Sequence, residues 1–441
     1  LHPKSLRLEF IPGSINLIAH HILRHHWGDC TQPAKIICQN NNIKKQNETI
    51  TMTTLLAALF AICSGLAIGN LYWAQPLLVQ ITDGFGLLPA SGGLLVTATQ
   101  IGYALGILFI LPLGDFVRRK RLIATVMILS IITLLCCAFA PSFTILALSL
   151  FSMGIVTISG QIILPLAGDL SKEEQRGHIV GIVSSGITTG ILFSRFASGI
   201  IAGLWGWRAV YIIAAVLNMI MTIVLIYVLP EIPRKNKLKS YKNLIVSVFT
   251  TFKRHDTLKR ILLHSGLIFG LLFNIFWTSL TFLLSGAPYY YSTFQIGLVS
   301  LAGLVAAAVG LGLGKLQDKG LSVPALGIFI LTSIFAMIAG LLFSTSIVAI
   351  IIIAAIFSIA VQGVSVLSQA RLFALSDEER SRLNTVFVVN NFLFGAVGSA
   401  MASLLWANGG WSYVMGGAII ISVVALMVWL SSRKAFNMAD G

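Results

Sequence analysis

Long apolar runs follow one another along most of the chain, and short polar segments separate them. A helix that crosses a bilayer needs about 20 predominantly apolar residues. The pattern therefore predicts an all-α polytopic membrane protein with twelve transmembrane helices. These spans, numbered in chain order, are 53–74, 90–112, 122–140, 143–167, 178–203, 208–229, 261–285, 294–314, 323–343, 346–369, 384–406 and 412–431.

The second half of the chain repeats the first. Leu170 and Ser171 return as Leu375 and Ser376. A shift of about 204 residues superimposes the halves, which is the self-similarity expected of a tandem duplication. Trp207 then coincides with Trp411. In a membrane chain, a parallel duplication is typical of transporters whose site lies between the two halves.

One long polar segment separates the two sets of six spans. We therefore divide the chain into an N-terminal six-helix bundle at 52–229, a basic cytoplasmic linker at 230–260 and a C-terminal six-helix bundle at 261–432. Residues 433–441 form a cytoplasmic tail. Loops elsewhere are short, so neighbouring spans are expected to run in opposite directions.

Residues 1–51 differ in composition from the rest, because they are polar and hold five of the eight histidines. Met52 directly precedes the first span. We predict that residues 1–51 are a disordered or non-native extension and that Met52 begins the functional protein. A genuine N-terminal tail is the alternative.

The chain is 56% hydrophobic and carries a net charge of +15. Such a charge suggests a nucleic-acid partner only when it forms one face, whereas here the basic residues lie in loops between apolar runs. Residues 118–121 are all basic, and most other lysines and arginines lie in loops on the same predicted side. The positive-inside rule then places both termini in the cytoplasm.

Within the linker, apolar residues recur at helical spacing beside basic ones. This pattern predicts a basic amphipathic helix on the anionic inner leaflet, and a solvated linker is the alternative. The apolar positions are Leu244, Ile245, Val248, Phe249 and Phe252.

The loop between spans two and three reads Leu-Pro-Leu-Gly-Asp-Phe-Val-Arg-Arg-Lys-Arg at 111–121. Asp115, Arg119 and Lys120 fit the loop pattern G-x-x-x-D-R/K-x-G-R/K-R/K, and a weaker copy stands at 314–319. With the twelve-span duplication, the chain from 52 to about 432 resembles the major facilitator superfamily. The resemblance implies two pseudo-symmetric six-helix bundles that move a small organic solute across the membrane by alternating access.

The acidic residues of these two loops are candidates for a conformational latch. Each half presents an Asp after its second span and a helix N-terminus after its Glu-Glu block, and such a helix end attracts an anion. We expect Asp115 to dock on span eleven near 382–384, and Asp318 to dock on span five near Gly177, when the cytoplasmic side is closed. A purely topological role is the alternative. The predicted latch comprises Asp115, Arg119, Lys120, Asp318 and Lys319.

Residues 70–78 resemble the N-x-Y-x-Q-P-L-L segment of a drug-efflux-like subgroup of bacterial inner-membrane proteins. Pro76 in this segment is expected to end or bend the helix of span one. The resemblance implies efflux of a drug or metabolite, with protons as the coupling ion. Span five keeps Gly186 and Gly190 of an antiporter signature but has Ile191 in place of its proline. No span has a carboxylate near its middle, so proton coupling has no independent support in the residues.

Arg195 is a charged residue inside span five. Charges within spans usually face a cavity or a partner, so we expect it to bind an anionic group of the substrate or to join Tyr103, Gln100 and Gln161. Snorkelling toward the periplasmic surface is the alternative.

By family resemblance, spans one, four, seven and ten line the substrate pathway. Amide and aromatic side chains there suit an amphiphilic organic solute better than a metal ion. For Asn70 and Gln75, helix-to-helix hydrogen bonding is the alternative role. The predicted pathway residues are Asn70, Gln75, Gln161, Arg195, Asn274, Trp277 and Gln362.

We find none of the motifs typical of common hydrolases or phosphate-binding loops, so we predict no enzyme, no catalytic residue, no metal and no cofactor. The expected partners are a small organic solute, protons and the lipid bilayer, with no nucleic acid, and we expect a monomer. A membrane sensor of transporter fold and an inactive gene product are the alternatives.

Overall fold

In the computed structural model, every regular element of the described part of the chain is helical. Nine helices there are long and apolar enough to cross a membrane. The predicted all-helical membrane architecture is confirmed. The structure describes residues 53–172, 175–229, 241–254, 256–306, 309, 313, 316, 320–376 and 379–439, so the predicted extension at 1–51 lies outside the described residues.

The six predicted spans of the N-terminal half correspond to helices. Span four is divided into two α-helices, and span one is followed by a second α-helix that lies beyond its predicted end at residue 74. The α-helices in chain order are Thr54–Gly69, Leu78–Gly84, Gly93–Phe109, Arg119–Ala138, Phe143–Val156, Ser159–Leu170, Arg176–Trp205 and Trp207–Val228.

The C-terminal half follows the linker helix Tyr241–Arg254. Span seven contains a π-helical segment, Gly266–Leu272, between two α-helices. The other helices are Asp256–Ser265, Phe273–Ser285, Thr293–Val299, Ser322–Leu342, Ile347–Ala374 and Arg380–Ala439.

The last of these helices is two helices joined at a break. Gly409 and Gly410 have non-helical backbone angles. The long helices, this division and the two shorter apolar helices, Thr54–Gly69 and Thr293–Ala306, agree with twelve spans. The count itself stays a prediction because residues 307–319 are described at only three positions.

A glycine with positive φ precedes a tryptophan at equivalent places in both halves. Gly206 has φ +80° and precedes Trp207, while Gly410 has φ +60° and precedes Trp411. Positive φ strains residues that carry a Cβ, so glycine permits the sharp reversal between consecutive spans. Both tryptophans are buried.

Span one is interrupted where Pro76 was expected to end or bend it. The α-helix ends at Gly69, a turn follows, and a 3-10 helix, Gln75–Leu77, has Pro76 in its first turn. Proline lacks an N–H donor and clashes with the preceding helical turn. The expectation for Pro76 is confirmed, and the interruption places Tyr72 and Gln75 on irregular backbone.

We call the end of the helices that carries the loops near Arg118 and Arg380 the basic end. The two halves pack tightly at the other end. Thr97 Oγ1 lies 2.8 Å from Ser399 Oγ, joining spans two and eleven. A Cβ on Gly199 in span five would lie 2.7 Å from the Cα of Gly297 in span eight, so the two backbones are in direct contact.

The linker contains the helix Tyr241–Arg254, which packs on protein, and its place on the inner leaflet stays a prediction. Val248 is buried in a cluster with Leu258 and Leu383 of the C-terminal half. At the other end of the helix, the Tyr241 hydroxyl donates to the carbonyl oxygen of Phe109 at 2.6 Å. The linker helix therefore contacts both halves.

Candidate functional site

Arg195 lies between the two halves in a cage of aromatic rings. Its guanidinium carbon is 5.0 Å from the ring centre of Tyr72, 5.0 Å from that of Phe273 and 4.6 Å from that of Trp277. Tyr72 belongs to the interruption of span one, and the other two residues face the same side of span seven, one turn apart. The side chain is only 1% exposed, which excludes snorkelling.

Small residues bring span five close enough to span one to form this cage. A Cβ on Gly190 would lie 2.2 Å from the carbonyl oxygen of Gly65, and one on Gly186 would lie 2.4 Å from that of Ala61. Helices in membranes approach this closely only where small residues meet. The glycine pattern of span five therefore has a packing role that positions Arg195.

The three guanidinium nitrogens of Arg195 are buried and have no hydrogen-bond partner among the described residues. The expected network with Gln100 is not formed, because Gln100 donates to Asn274 instead. Cation–π contacts contribute about 2 kcal/mol or more each when desolvated. Burying an ion costs several kcal/mol, and five N–H donors without acceptors add to that cost. A bound anion would neutralise the buried charge of Arg195 and accept hydrogen bonds from its N–H groups.

Beside the cage, three amide side chains connect the halves. Gln100 Nε2 donates to Asn274 Oδ1 at 3.1 Å, and Gln75 Nε2 approaches the same oxygen at 3.5 Å. Asn274 Nδ2 donates to the carbonyl of Gly270 at 2.8 Å. Gly395 leaves room for this cluster, since a Cβ there would lie 2.8 Å from Asn274 Nδ2.

Asn70 belongs to a different network, inside the N-terminal half. Its Nδ2 donates to Thr157 Oγ1 at 3.1 Å, and its Oδ1 accepts from Trp73 Nε1 at 2.9 Å and from Asn218 Nδ2 at 3.4 Å. Spans one, four and six are joined in this way. Asn70 therefore makes helix-to-helix hydrogen bonds, which was the alternative to a role in the pathway.

Gln161 and Gln362 are the two remaining predicted pathway residues, and the described part of the chain shows neither in contact with the cage or the amide cluster. Gln161 is half-buried in span four, and Tyr103, its expected partner, has its ring centre 4.4 Å from that of Phe392 in the other half. Gln362 is half-buried in span ten. Within the described chain, the structure gives Gln362 no hydrogen bond to the amide cluster.

Sequence reasoning did not assign Tyr72, Phe273 and Gln100 to the pathway. Each carries a signal in retrospect. Tyr72 lies within the 70–78 segment, and Phe273 precedes Trp277 by one helical turn. Gln100 is a buried amide in an apolar span.

The residues of the predicted latch make contacts within the N-terminal half. Arg119 forms an ion pair with Asp169 at 2.8 Å, and Lys120 donates to the carbonyl of Leu229 at 2.7 Å. Asp115 ends the 3-10 helix Leu111–Asp115. Asp318 and Lys319 lie outside the described residues, and the docking of the two carboxylates stays a prediction.

A groove of about 350 Å³ also lies between spans one and five. It is lined by the glycine contact and by apolar side chains such as Ile62 and Phe193, both 55% exposed. Phe193 and Arg195 project from nearly opposite sides of span five, since residues two apart on a helix differ by about 200°. The groove is therefore separate from the cage.

Comparison with known proteins gives a consistent result. A family model described as Major Facilitator Superfamily matches residues 57–370. An uncharacterized transporter, YgaY, of Escherichia coli O157:H7 is 36% identical over 378 residues, which cover 86% of this chain and 95% of that protein.

Solved structures share the fold at low sequence identity. A bacterial homolog of the human lysosomal transporter Spinster, in an inward-facing and occupied conformation, matches with a TM-score of 0.70 and 16% identity. That match covers 88% of this chain and 96% of the other. The human organic anion transporter MFSD10 (TETRAN) matches with a TM-score of 0.67 and 15% identity over 86% of this chain and all of the other.

Proposed function

The chain belongs to the major facilitator superfamily, and from this premise we propose that it is a secondary active transporter of small organic anions. It moves them across the bacterial inner membrane by alternating access. The observation that carries the proposal is the buried Arg195, which has three aromatic neighbours and no hydrogen-bond acceptor among the described residues.

The chemistry of the cage selects the class of cargo. A guanidinium offers a planar fork of donors that matches the two oxygens of a carboxylate or the oxygens of a phosphate. Tyr72, Phe273 and Trp277 surround that fork with apolar surface. The cargo is therefore an anion with an apolar body. The human organic anion transporter MFSD10 (TETRAN) shares this fold.

The position of the cage also suits alternating access. Arg195 and Tyr72 belong to the N-terminal half, whereas Phe273 and Trp277 belong to the C-terminal half. A solute bound there touches both halves, and rocking of the halves about it would expose it to either side of the membrane in turn.

The direction and the coupling ion rest on resemblance. We propose efflux because residues 70–78 resemble a drug-efflux-like subgroup. Protons are the coupling ion by family expectation. The acidic residues of the described chain, such as Asp83 and Asp169, lie at or near span ends and give no separate support for a proton carrier.

Transport by Arg195 variants tests the proposal. We expect Arg195→Gln to reduce counterflow of an organic-anion panel in proteoliposomes at least about tenfold, because truncating one partner of a buried charge contact usually costs 2 kcal/mol or more. Arg195→Lys keeps the charge but loses the bidentate fork, so an intermediate rate is expected.

Arg208→Gln is the matched control, because Arg208 also stacks on aromatic rings, 4.2 Å from Trp207, but is exposed. It should transport like the wild type. Equal transport of all anions by Arg195→Gln and wild type would overturn the proposal. Binding without counterflow would favour the sensor alternative. Accumulation in everted vesicles, which is expected for efflux, checks the direction.

A further inference from the structure

We infer that Gln75 and Gln100 form a second subsite, which binds an uncharged hydrogen-bond donor of the transported anion. The inference rests on the proposed function and narrows its substrate class. The cargo is an organic monoanion that also carries a hydroxyl or an uncharged N–H group.

The orientation of the amide cluster follows from one backbone group. The carbonyl of Gly270 can only accept, so Asn274 must point its Nδ2 toward it, as observed at 2.8 Å. This turns Asn274 Oδ1 toward the two glutamines. An oxygen acceptor there requires each glutamine to present its Nε2, which leaves both Oε1 atoms facing away.

These two oxygen atoms lack donors. Gln75 Oε1 and Gln100 Oε1 are buried and without a hydrogen-bond partner in the described part of the chain, and each side chain is 2% exposed. A buried acceptor without a donor is costly, and most such groups in proteins are paired. Two spare acceptors on side chains that meet at Asn274 therefore indicate a donor on the ligand.

The charge balance favours a neutral donor over an ammonium group. The two glutamines are uncharged, and the acidic residues of the described chain lie at or near span ends. A ligand cation at Gln75 and Gln100 would be buried without a carboxylate partner, which is unfavourable in a low-dielectric site. A hydroxyl or amide N–H needs only an acceptor.

The two subsites are adjacent because they share two elements. Trp277 touches Arg195, and Asn274 lies three residues earlier on the same helix. Tyr72 touches Arg195, and Gln75 lies three residues later in the interruption of span one.

Matched para-substituted benzoates measure this preference. The full chain in lipid nanodiscs is titrated calorimetrically with 4-hydroxybenzoate, with 4-methoxybenzoate, which lacks the donor, and with 4-(aminomethyl)benzoate, whose donor is cationic. The corresponding phenylacetates extend the panel. We expect the hydroxy compound to bind at least about tenfold more tightly than either analogue, since sites built for a hydrogen bond reject ligands that lack it.

The double variant Gln75→Met/Gln100→Met should bind the hydroxy and methoxy compounds equally. Gln80→Met is the matched control, because Gln80 also has an unpaired buried oxygen but donates to Ala202 outside the cluster. It should keep the wild-type preference.

The outcomes separate this inference from the proposed function. Equal wild-type affinity for hydroxy and methoxy compounds, with both lost in Arg195→Gln, overturns the second subsite and leaves the anion site standing. Tightest binding of the aminomethyl compound overturns the neutral donor. Failure of every anion in the panel to bind the wild type overturns both proposals.

Discussion

Asn70 and Gln75 lie on consecutive turns of span one, and both are buried amides. They differ in how completely their hydrogen-bonding groups are used. Asn70 donates to Thr157 and accepts from Trp73 and Asn218, all in the same half. Gln75 reaches Asn274 in the other half and keeps an unpaired oxygen. An amide whose hydrogen-bonding groups are all paired holds helices together. An amide with an unpaired group, located between the two moving halves, is available to a ligand.

We therefore predict that Asn70→Ala lowers stability without changing ligand preference. Hydrogen bonds in membrane proteins contribute about 0.6 kcal/mol on average, so losing several should cost roughly 1–3 kcal/mol. The midpoint of thermal unfolding of purified protein should fall, while the relative affinities for organic anions stay constant. A variant with wild-type stability but altered anion preference would show that Asn70 contacts the cargo.

At the scale of elements, span five makes two kinds of glycine contact. Gly190 packs on Gly65 of span one in the same half. Gly199 packs on Gly297 of span eight in the other half, at the end opposite the basic end. The first contact is expected to persist through the transport cycle. The second must open when the halves separate at that end.

Gly199→Ala should slow transport, because its Cβ would lie 2.7 Å from the Cα of Gly297 and 2.8 Å from the carbonyl oxygen of Thr293. Neither backbone atom can move without shifting a helix. We expect counterflow to fall at least about fivefold. This corresponds to destabilising, by roughly 1 kcal/mol, the state in which the halves are in contact at the end opposite the basic end. Gly181→Ala is the control on the same span, since nothing lies within 4 Å of a Cβ there. Equal rates for the two variants would refute the requirement for close approach.

At the scale of the whole molecule, the two halves meet closely at the end opposite the basic end. Thr97 Oγ1 contacts Ser399 Oγ and also donates to the carbonyl of Ala396. Thr281 Oγ1 donates to the carbonyl of Gln75 at 3.0 Å. The cage and the amide cluster lie on the side of these contacts that faces the basic end. A solute can therefore reach them from the opposite end only when the contacts break.

A reversible cross-link tests this requirement. In the double variant Thr97→Cys/Ser399→Cys, the sulfur atoms would replace hydroxyls 2.8 Å apart, which suits disulfide geometry. Oxidation should stop transport and reduction should restore it, because the halves can no longer separate there. The single variants under oxidant are the controls. Unimpaired transport by fully cross-linked protein would contradict alternating access through this end.

Much of the fold was predictable because membranes impose strong constraints on sequence. Apolar runs of sufficient length identify spans, and the placement of Pro76 predicted the interruption of span one. The breaks in spans four and seven were not foreseen. The π-helical segment Gly266–Leu272 has an apolar sequence like that of an ordinary helix. Its backbone geometry depends on packing against span eleven, where a Cβ on Gly270 would meet Asn391 and Phe394.

The sequence by itself determined the membrane-spanning architecture, the duplication and the unusual position of Arg195, because hydrophobicity, repetition and a charge in an apolar run are local properties of the chain. Only the tertiary structure decided what surrounds Arg195 and which buried amides are saturated. Tyr72, Phe273 and Trp277 come from two halves about 200 residues apart in the duplicated chain, and their meeting depends on how glycine contacts set the distances between helices. Which groups a buried side chain contacts, and how exposed it is, depend on that packing.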